Sequence, residues 1–297
     1  MSKKHISSAN HKLFAQNARK KPVKRGELLI IGGKEDKEGE CLILKKIVEK
    51  TKGGKLVVLT AASEFADELW KGYQLLFREL GLRKVDHLEI SGPDDARDPA
   101  LMKVLENASS IFFTGGDQLK ITTKIGGTPV EDSILKIFNS GGLIAGTSAG
   151  ASVMGQTMLV GGGNSESHKV GNWMMAPGLG LASGMIIDQH FAQRGRIGRL
   201  LGAVALNPGI LGIGIDEDTA VLVENGFFQV MGSNAVYVID GHNVTDTNIS
   251  EASADQTMSM HDVRLHILAH DEIFDFKNRR PYGPGKFPEK KRAHGLD

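Results

Sequence analysis

Gly141-Gly142-Leu143-Ile144-Ala145-Gly146-Thr147-Ser148-Ala149-Gly150 carries a short apolar run into Gly-x-Ser-x-Gly and on into small residues. The pattern is that of a nucleophile elbow: a buried strand stops, the chain turns sharply on a serine, and a helix begins. Glycines on both sides of Ser148 permit the tight turn and a strained serine backbone. The elbow would present the Ser148 hydroxyl beside main-chain N–H groups able to receive an oxyanion, that of Ala149 among them. A plain glycine-rich strand-to-helix turn would use the same residues, and the segment alone leaves both readings open.

Upstream of the elbow, strands and helices alternate from Glu27 onward. Leu28-Leu29-Ile30-Ile31 reads as a buried strand ending at Gly32-Gly33. Cys41, Leu42, Leu44, Ile47 and Val48 have helical spacing, and Leu56-Val57-Val58-Leu59 is the next strand. Phe65, Leu69, Tyr73, Leu76, Phe77 and Leu80 mark a long helix stopped by Gly81, and residues 85–90 a third strand. A helix at 101–105 precedes the strand Ile111-Phe112-Phe113, which ends in Gly115-Gly116, and a helix at 130–138 leads into the elbow strand. Apolar strands alternating with amphipathic helices predict an α/β fold with a doubly wound, mostly parallel sheet. In such sheets the functional groups gather beyond the carboxyl ends of the strands, where Gly115-Gly116 and Ser148 both lie.

Downstream, residues 161–184 are glycine-rich and read as loop. Residues 185–191 form a short strand or turn carrying Asp188-Gln189-His190, and residues 194–206 a helix. Ile213-Gly214-Ile215-Asp216-Glu217 opens a run of β segments at 220–223, 227–231 and 235–239, with Asn225-Gly226 as a hairpin turn. These are additional C-terminal β hairpins on the α/β body.

Chemistry-bearing side chains cluster around these joints. His190 ends the apolar run Met185-Ile186-Ile187, where a strand could aim it into a pocket as a general base; His168, in the glycine-rich stretch, is the second choice. Asp216-Glu217-Asp218 is either a solvated turn or the source of one acid that orients the imidazole, and spacing does not choose which. Thr114-Gly115-Gly116-Asp117-Gln118 could turn a main-chain N–H toward a substrate as the partner of Ala149 N–H. Asp117 could equally cap a helix, and Gln118 could grip a carboxylate or amide. Arg194, Arg196 and Arg199 follow His190 closely, which suits either carboxylate recognition or an exposed helix face. Gly32-Gly33-Lys34 matches neither the dinucleotide fingerprint nor a P-loop. No Cys/His cluster and no His-Glu-x-x-His motif points to a metal, so neither metal nor cofactor is expected.

The 297 residues carry a formal net charge of +1, unevenly placed. Residues 1–25 hold eight Lys/Arg and no acid, residues 277–297 seven Lys/Arg and two acids, and the body between them 21 basic and 33 acidic side chains, net −12. The ends read as basic, disordered tails at 1–25 and 277–297, around one catalytic domain at 26–276. They lack aromatic interleaving and a binding motif, and an acidic body repels a polyanion, so no nucleic-acid partner is expected. No apolar run is long enough for a membrane span, and the N-terminus lacks the apolar core of a secretory signal. With a single cysteine, Cys41, read as a buried thiol on a helix face, the expected location is the cytoplasm.

Taken together, these residues resemble the cyanophycinases, within the serine peptidase family that also includes aspartyl dipeptidase. The resemblance spans about Leu28 to Ile239. It rests on Ile31-Gly32-Gly33-x-Glu35-Asp36-Lys37, Phe113-Thr114-Gly115-Gly116-Asp117-Gln118, Gly146-Thr147-Ser148-Ala149-Gly150-Ala151, Asp188-Gln189-His190-Phe191, the three arginines, and Gly214-Ile215-Asp216-Glu217. It implies a flavodoxin-like fold similar to class I glutamine amidotransferases, with serine as nucleophile. It further implies Ser148 as nucleophile, His190 as base, Glu217 as orienting acid, and Gly116 and Ala149 as oxyanion donors. Gln118, Asp188, Gln189, Arg194, Arg196 and Arg199 would shape the substrate pocket. The implied substrate is cyanophycin, a poly-aspartate backbone bearing arginine on each side-chain carboxyl, cleaved by exopeptidase action to β-Asp-Arg dipeptides. A homodimer is implied in the same way. Glu35-Asp36-Lys37 belongs to the pattern but has no chemical reading from sequence.

Three rivals follow from the same residues. A peptidase acting on short α-aspartyl peptides would keep the three catalytic groups without needing the arginines. A non-catalytic metabolite-binding module would need neither His190 nor Glu217. A cysteine-type amidotransferase relative is disfavoured by serine at the elbow, with Cys41 far away in sequence.

Overall fold

The computed structural model describes residues 25–162, 168–171 and 173–286. The tails predicted at the two ends therefore fall largely outside the described residues, at 1–24 and 287–297. Among the described residues no helix is long and apolar enough to cross a membrane.

The first half alternates as its apolar pattern requires. In chain order it runs β1 (Glu27–Ile31), α1 (Leu42–Thr51), β2 (Lys55–Leu59), α2 (Ala66–Glu79), β3 (Lys84–Leu88), α3 (Pro99–Leu105), β4 (Ala108–Phe113), α4 (Gln118–Ile125), α5 (Pro129–Asn139) and β5 (Leu143–Thr147). After the elbow come a short helix α6 (Ala149–Ser152), β6 (Thr157–Gly162), β7 (Trp173–Pro177), β8 (Met185–Gln189), α7 (Ile197–Leu206) and β9 (Leu211–Ile215). The chain closes with β10 (Thr219–Glu224), β11 (Phe227–Gly232), β12 (Val236–Asp240), β13 (Arg264–Leu268), β14 (Ile273–Asp275) and β15 (Arg280–Tyr282).

A nine-stranded sheet, ordered β15-β14-β11-β10-β1-β5-β4-β2-β3, forms the centre. Its β1-β5-β4-β2-β3 block is parallel throughout, and β10, β11, β14 and β15 extend it with antiparallel pairs. The side chains of β1 show why helices cover both faces. Leu28 and Ile30 point into one core with Ile111, Phe113 and Ile144, beneath α3, α4 and α5. Leu29 and Ile31 point into the other with Ile43, Leu44 and Ile47 of α1 and Tyr73 and Phe77 of α2. A strand buried on both sides gains about 1.5–3 kcal/mol per enclosed Leu or Ile side chain, which favours apolar residues at every position. A second sheet, ordered β13-β12-β9-β8, shares the first core through Ile187, Ile213 and Val238, while Leu200 and Val204 of α7 cover its far face at Ile186 and Ile239.

The expected hairpin turn is present, with φ of 50° at Asn225 and 84° at Gly226, the positive values that a two-residue hairpin turn requires. Four readings need correction. Residues 161–184 are not all loop: β6 and β7 pair as an antiparallel ribbon that their glycine content hides. Cys41 is buried but precedes α1 rather than lying on its face. The helix expected from 194 begins at Ile197, because Gly195 is left-handed (φ 58°) and closes a separate short turn at Ala192–Arg194. The body does not end at 276, since β15 pairs with β14 and Arg279 bonds the buried Asp240.

Candidate active site

Parallel register builds the site. Ile31 of β1 lies beside Thr147 of β5, and Phe113 of β4 beside Gly146, so the loops after β1 and β4 flank Ser148. Ser148 has φ 55° and ψ −112°, a left-handed backbone on a non-glycine residue. Its N–H donates to Ile31 O at 3.0 Å, and its carbonyl accepts from Ala151 and Ser152 as α6 begins. The flanking glycines answer to packing: a Cβ on Gly146 would lie 2.4 Å from Gly150 O, and one on Gly150 2.5 Å from Phe113 O. The strand, strained serine and immediate helix are those of an elbow.

A second register supplies the imidazole and the acid. Gln189 of β8 lies beside Ile215 of β9, so the residues just beyond these strands emerge together. His190 Nε2 is 2.9 Å from Ser148 Oγ, and His190 Nδ1 is 2.8 Å from Glu217 Oε1. His168, the second choice, is exposed, and its carbonyl accepts from Met258 N–H. Of the three acids, Asp216 turns back to accept from Ala192 N–H at 2.8 Å and Ala235 N–H at 3.3 Å. Asp218 accepts from Asp36 N–H at 2.8 Å and from Ser233 Oγ. Glu217 alone of the three reaches the imidazole.

Burial holds the His190 pKa below its ordinary value, aided by the neighbouring Arg194 and Arg196 and opposed by Glu217. Its imidazole is therefore neutral at pH 7. Burial would raise the Glu217 carboxyl, but hydrogen bonds from Lys34 and His190 outweigh it and keep the pKa below the usual value. An ionised Glu217 only accepts, so Nδ1 carries the proton and Nε2 is left to accept from the Ser148 hydroxyl. A neutral base on a serine, oriented by a carboxylate, is the arrangement that generates an alkoxide nucleophile.

The loop after β1, which has no role from sequence, meets His190, Glu217 and the residue before Ser148. Gly32 O accepts from His190 N–H at 2.8 Å. Gly33 (φ 104°) lies under the imidazole, where a Cβ would sit 2.3 Å from His190 Cε1. Lys34 Nζ is 3.0 Å from Glu217 Oε1. Glu35 is buried and accepts from Thr147 Oγ1 at 2.6 Å, next to Ser148. Asp36 accepts from the N–H groups of Glu38, Gly39 and Cys41 and so folds the loop onto itself. The motif Gly32-Gly33-x-Glu35-Asp36-Lys37 was the available signal; its meaning depended on knowing what lay across from it.

The loop after β4 lies against the serine: a Cβ on Gly115 would sit 3.5 Å from Ser148 Cβ. Gly116 follows with φ 142°. Asp117 caps α4 through Leu119 N–H at 2.8 Å, so the capping reading is correct. Gln118 donates from Nε2 to Leu159 O at 2.9 Å, tying α4 to the β6–β7 ribbon.

The arginines divide. Asp188 is fully buried and accepts from Arg199 Nε at 2.6 Å, from Arg199 Nη2, and from Arg196 Nη1 at 3.2 Å. Arg196 also bonds the Gln189 side chain, and burial lowers its pKa to about 10 despite Asp188. Arg196 and Arg199 are thus turned inward onto a carboxylate of the protein itself. Arg194 stays exposed near His190. Among the described residues no group of His, Cys, Asp and Glu is placed to hold a metal ion.

The sequence model of peptidase family S51 matches residues 28–231, a stretch that contains Ser148, His190 and Glu217. A protein of Trichormus variabilis named cyanophycinase is 39% identical over 85% of this chain and 86% of its own length. One of Geminocystis herdmanii, also named cyanophycinase, is 35% identical over 86% of this chain and 96% of its own length. The crystal structure of a peptidase from an acI-B1 Actinobacterium superposes with a TM-score of 0.64 at 22% identity, over 86% of this chain and 98% of that one, and so shares its fold.

Proposed function

The chain belongs to peptidase family S51 and is a serine peptidase, and from that premise we propose that it hydrolyses cyanophycin to β-Asp-Arg dipeptides. The observation that carries the reading is the continuous chain Ser148 Oγ, His190 and Glu217, with contacts of 2.9 and 2.8 Å. The two relatives named cyanophycinase, which align over 85% and 86% of this chain, support the choice of substrate.

In this reading His190 Nε2 takes the Ser148 proton as Oγ attacks a backbone carbonyl of the aspartate chain. Glu217 accepts from Nδ1–H and stabilises the imidazolium that forms. The N–H groups of Ala149 and Gly116 hold the oxyanion of the tetrahedral intermediate. When the C–N bond breaks, His190 returns its proton to the departing dipeptide amine, leaving an ester on Ser148. Water, deprotonated by His190, then cleaves the ester and restores the serine. Arg194, the exposed one of the three arginines, offers a cation for a substrate carboxylate. We assign the bonded group Asp188, Gln189, Arg196 and Arg199, together with Gln118, to shaping the same pocket. We extend the proposal to a homodimeric working unit, implied by the resemblance to the cyanophycinases, and to a cytoplasmic location.

The test sets purified protein against cyanophycin and against α-aspartyl dipeptides in parallel, measuring free amine release. Turnover of the polymer supports the proposal. Turnover of the dipeptides with the polymer left intact would replace it with the α-aspartyl peptidase reading.

A further inference from the structure

Glu35 is an ionisable group that the mechanism does not use. Its side chain is 1% exposed, and it sits between α2 and the strand that ends in the elbow. Each carboxylate oxygen accepts from a hydroxyl: Oε1 from Tyr73 Oη at 2.5 Å and Oε2 from Thr147 Oγ1 at 2.6 Å. Lys37 supplies a countercharge 3.7 Å away while lying over the Tyr73 ring. Burying a carboxylate is expensive, and a well-packed apolar residue of similar volume commonly gives equal or greater stability. Its partner Tyr73 packs on Phe77 and Phe112 in the apolar core on that side of the sheet, so an apolar neighbour would find company there. Stability alone therefore does not account for an acid here.

The partner gives the account. Thr147 immediately precedes Ser148, whose backbone is strained (φ 55°). Strained residues persist where their surroundings over-determine them. Pairing with Ile31 and the bond from Ser148 N–H to Ile31 O fix this turn through the main chain. The side chain of Thr147 is the remaining free handle on the residue before the nucleophile, and Glu35 holds it. Glu35 also follows Gly33 and Lys34, which touch His190 and Glu217, so one short loop sets the serine relative to its base.

We propose that Glu35 is a positioning residue: through Thr147 it holds the Ser148 turn so that Oγ stays within reach of His190 Nε2. The proposal rests on the reading of Ser148 as nucleophile. Glu35 touches neither substrate nor the reacting atoms.

The test uses the full chain, phenylmethylsulfonyl fluoride as a serine-directed probe, and intact-mass measurement of the adduct. The label reports Ser148 reactivity without any substrate. Thr147→Val, which keeps shape and loses the hydroxyl, and Glu35→Gln, which keeps volume and loses charge, are expected to slow labelling by about tenfold or more, since small misplacements of reacting groups can cost about 100-fold. On cyanophycin the loss falls on kcat, with KM little changed. Thr147→Ser, which retains the hydroxyl, restores most of the rate. Labelling of folded Thr147→Val at the wild-type rate would overturn the proposal, even with a lowered melting temperature; should that variant not fold, the same outcome in Thr147→Ala decides. Failure of the wild type itself to label, with activity retained in Ser148→Ala, would overturn the nucleophile reading and this proposal with it.

Discussion

Lys34 Nζ and His190 Nδ1 approach the same oxygen, Glu217 Oε1, at 3.0 and 2.8 Å. The ammonium competes with the imidazole for the carboxylate that would stabilise it when protonated. Removing it in Lys34→Met strengthens the Glu217–His190 interaction and raises the His190 pKa. In the proposed mechanism the neutral imidazole is the active form, so the acid limb of the kcat/KM profile should move to higher pH. Lys34 is 71% exposed, so folding stability should change by less than about 1 kcal/mol. Paired pH profiles and urea titrations check both statements.

In the wild type, burial depresses the His190 pKa, so activity should persist below the ordinary imidazole value of 6.5 before it falls. The same depression acts on stability. An unfolded His190 takes up its proton near 6.5, whereas the folded one resists it until lower pH. His190 therefore contributes stability above 6.5, and that contribution is lost as pH falls through the interval down to the folded pKa. Thermal melts of wild type and His190→Phe across pH 5–7 should diverge with this sign.

Glu217→Gln keeps the fold but replaces an ionised acceptor with an amide that cannot stabilise the imidazolium. A loss in kcat on the order of 10³–10⁴-fold is expected, with KM largely retained. A loss below about tenfold would remove Glu217 from the catalytic group.

Gly33→Ala places a Cβ 2.3 Å from His190 Cε1 on a backbone with φ 104°, so either the loop or the imidazole must move. Activity should fall by about 100-fold or more, with His190 displaced from Ser148 in a crystal structure of the variant.

Asp188→Ala leaves the guanidiniums of Arg196 and Arg199 enclosed without their carboxylate. Their side chains are only 13% and 12% exposed, so the loss should be about 3–5 kcal/mol by urea unfolding. A change within 1 kcal/mol would show the pair to be solvated, as surface pairs are.

The parts of the fold and site legible in the sequence are those whose cause is local. The elbow announces itself because an apolar strand, flanking glycines and small helix residues all lie within ten positions. The alternation of β1 to β5 is legible because a strand covered on both faces must be apolar throughout. The pairing of His190 with Glu217 is not local. It follows from Gln189 lying beside Ile215 in parallel register, which no spacing along the chain reveals. The division of labour among Asp216, Glu217 and Asp218 is set by which main-chain N–H groups each meets. Arg196 and Arg199 resemble a carboxylate-binding pair until Asp188 is found between them. Glu35 had no chemical reading at all, because its meaning is a contact with Thr147, 112 positions away.

The central claim is that Ser148 opens a backbone amide of cyanophycin. Mass spectrometry of the polymer incubated with wild type and with Ser148→Ala tests it most directly. The account predicts accumulation of β-Asp-Arg with the wild type and none with the variant. Intact polymer with both proteins, or β-Asp-Arg released equally by both, would contradict it.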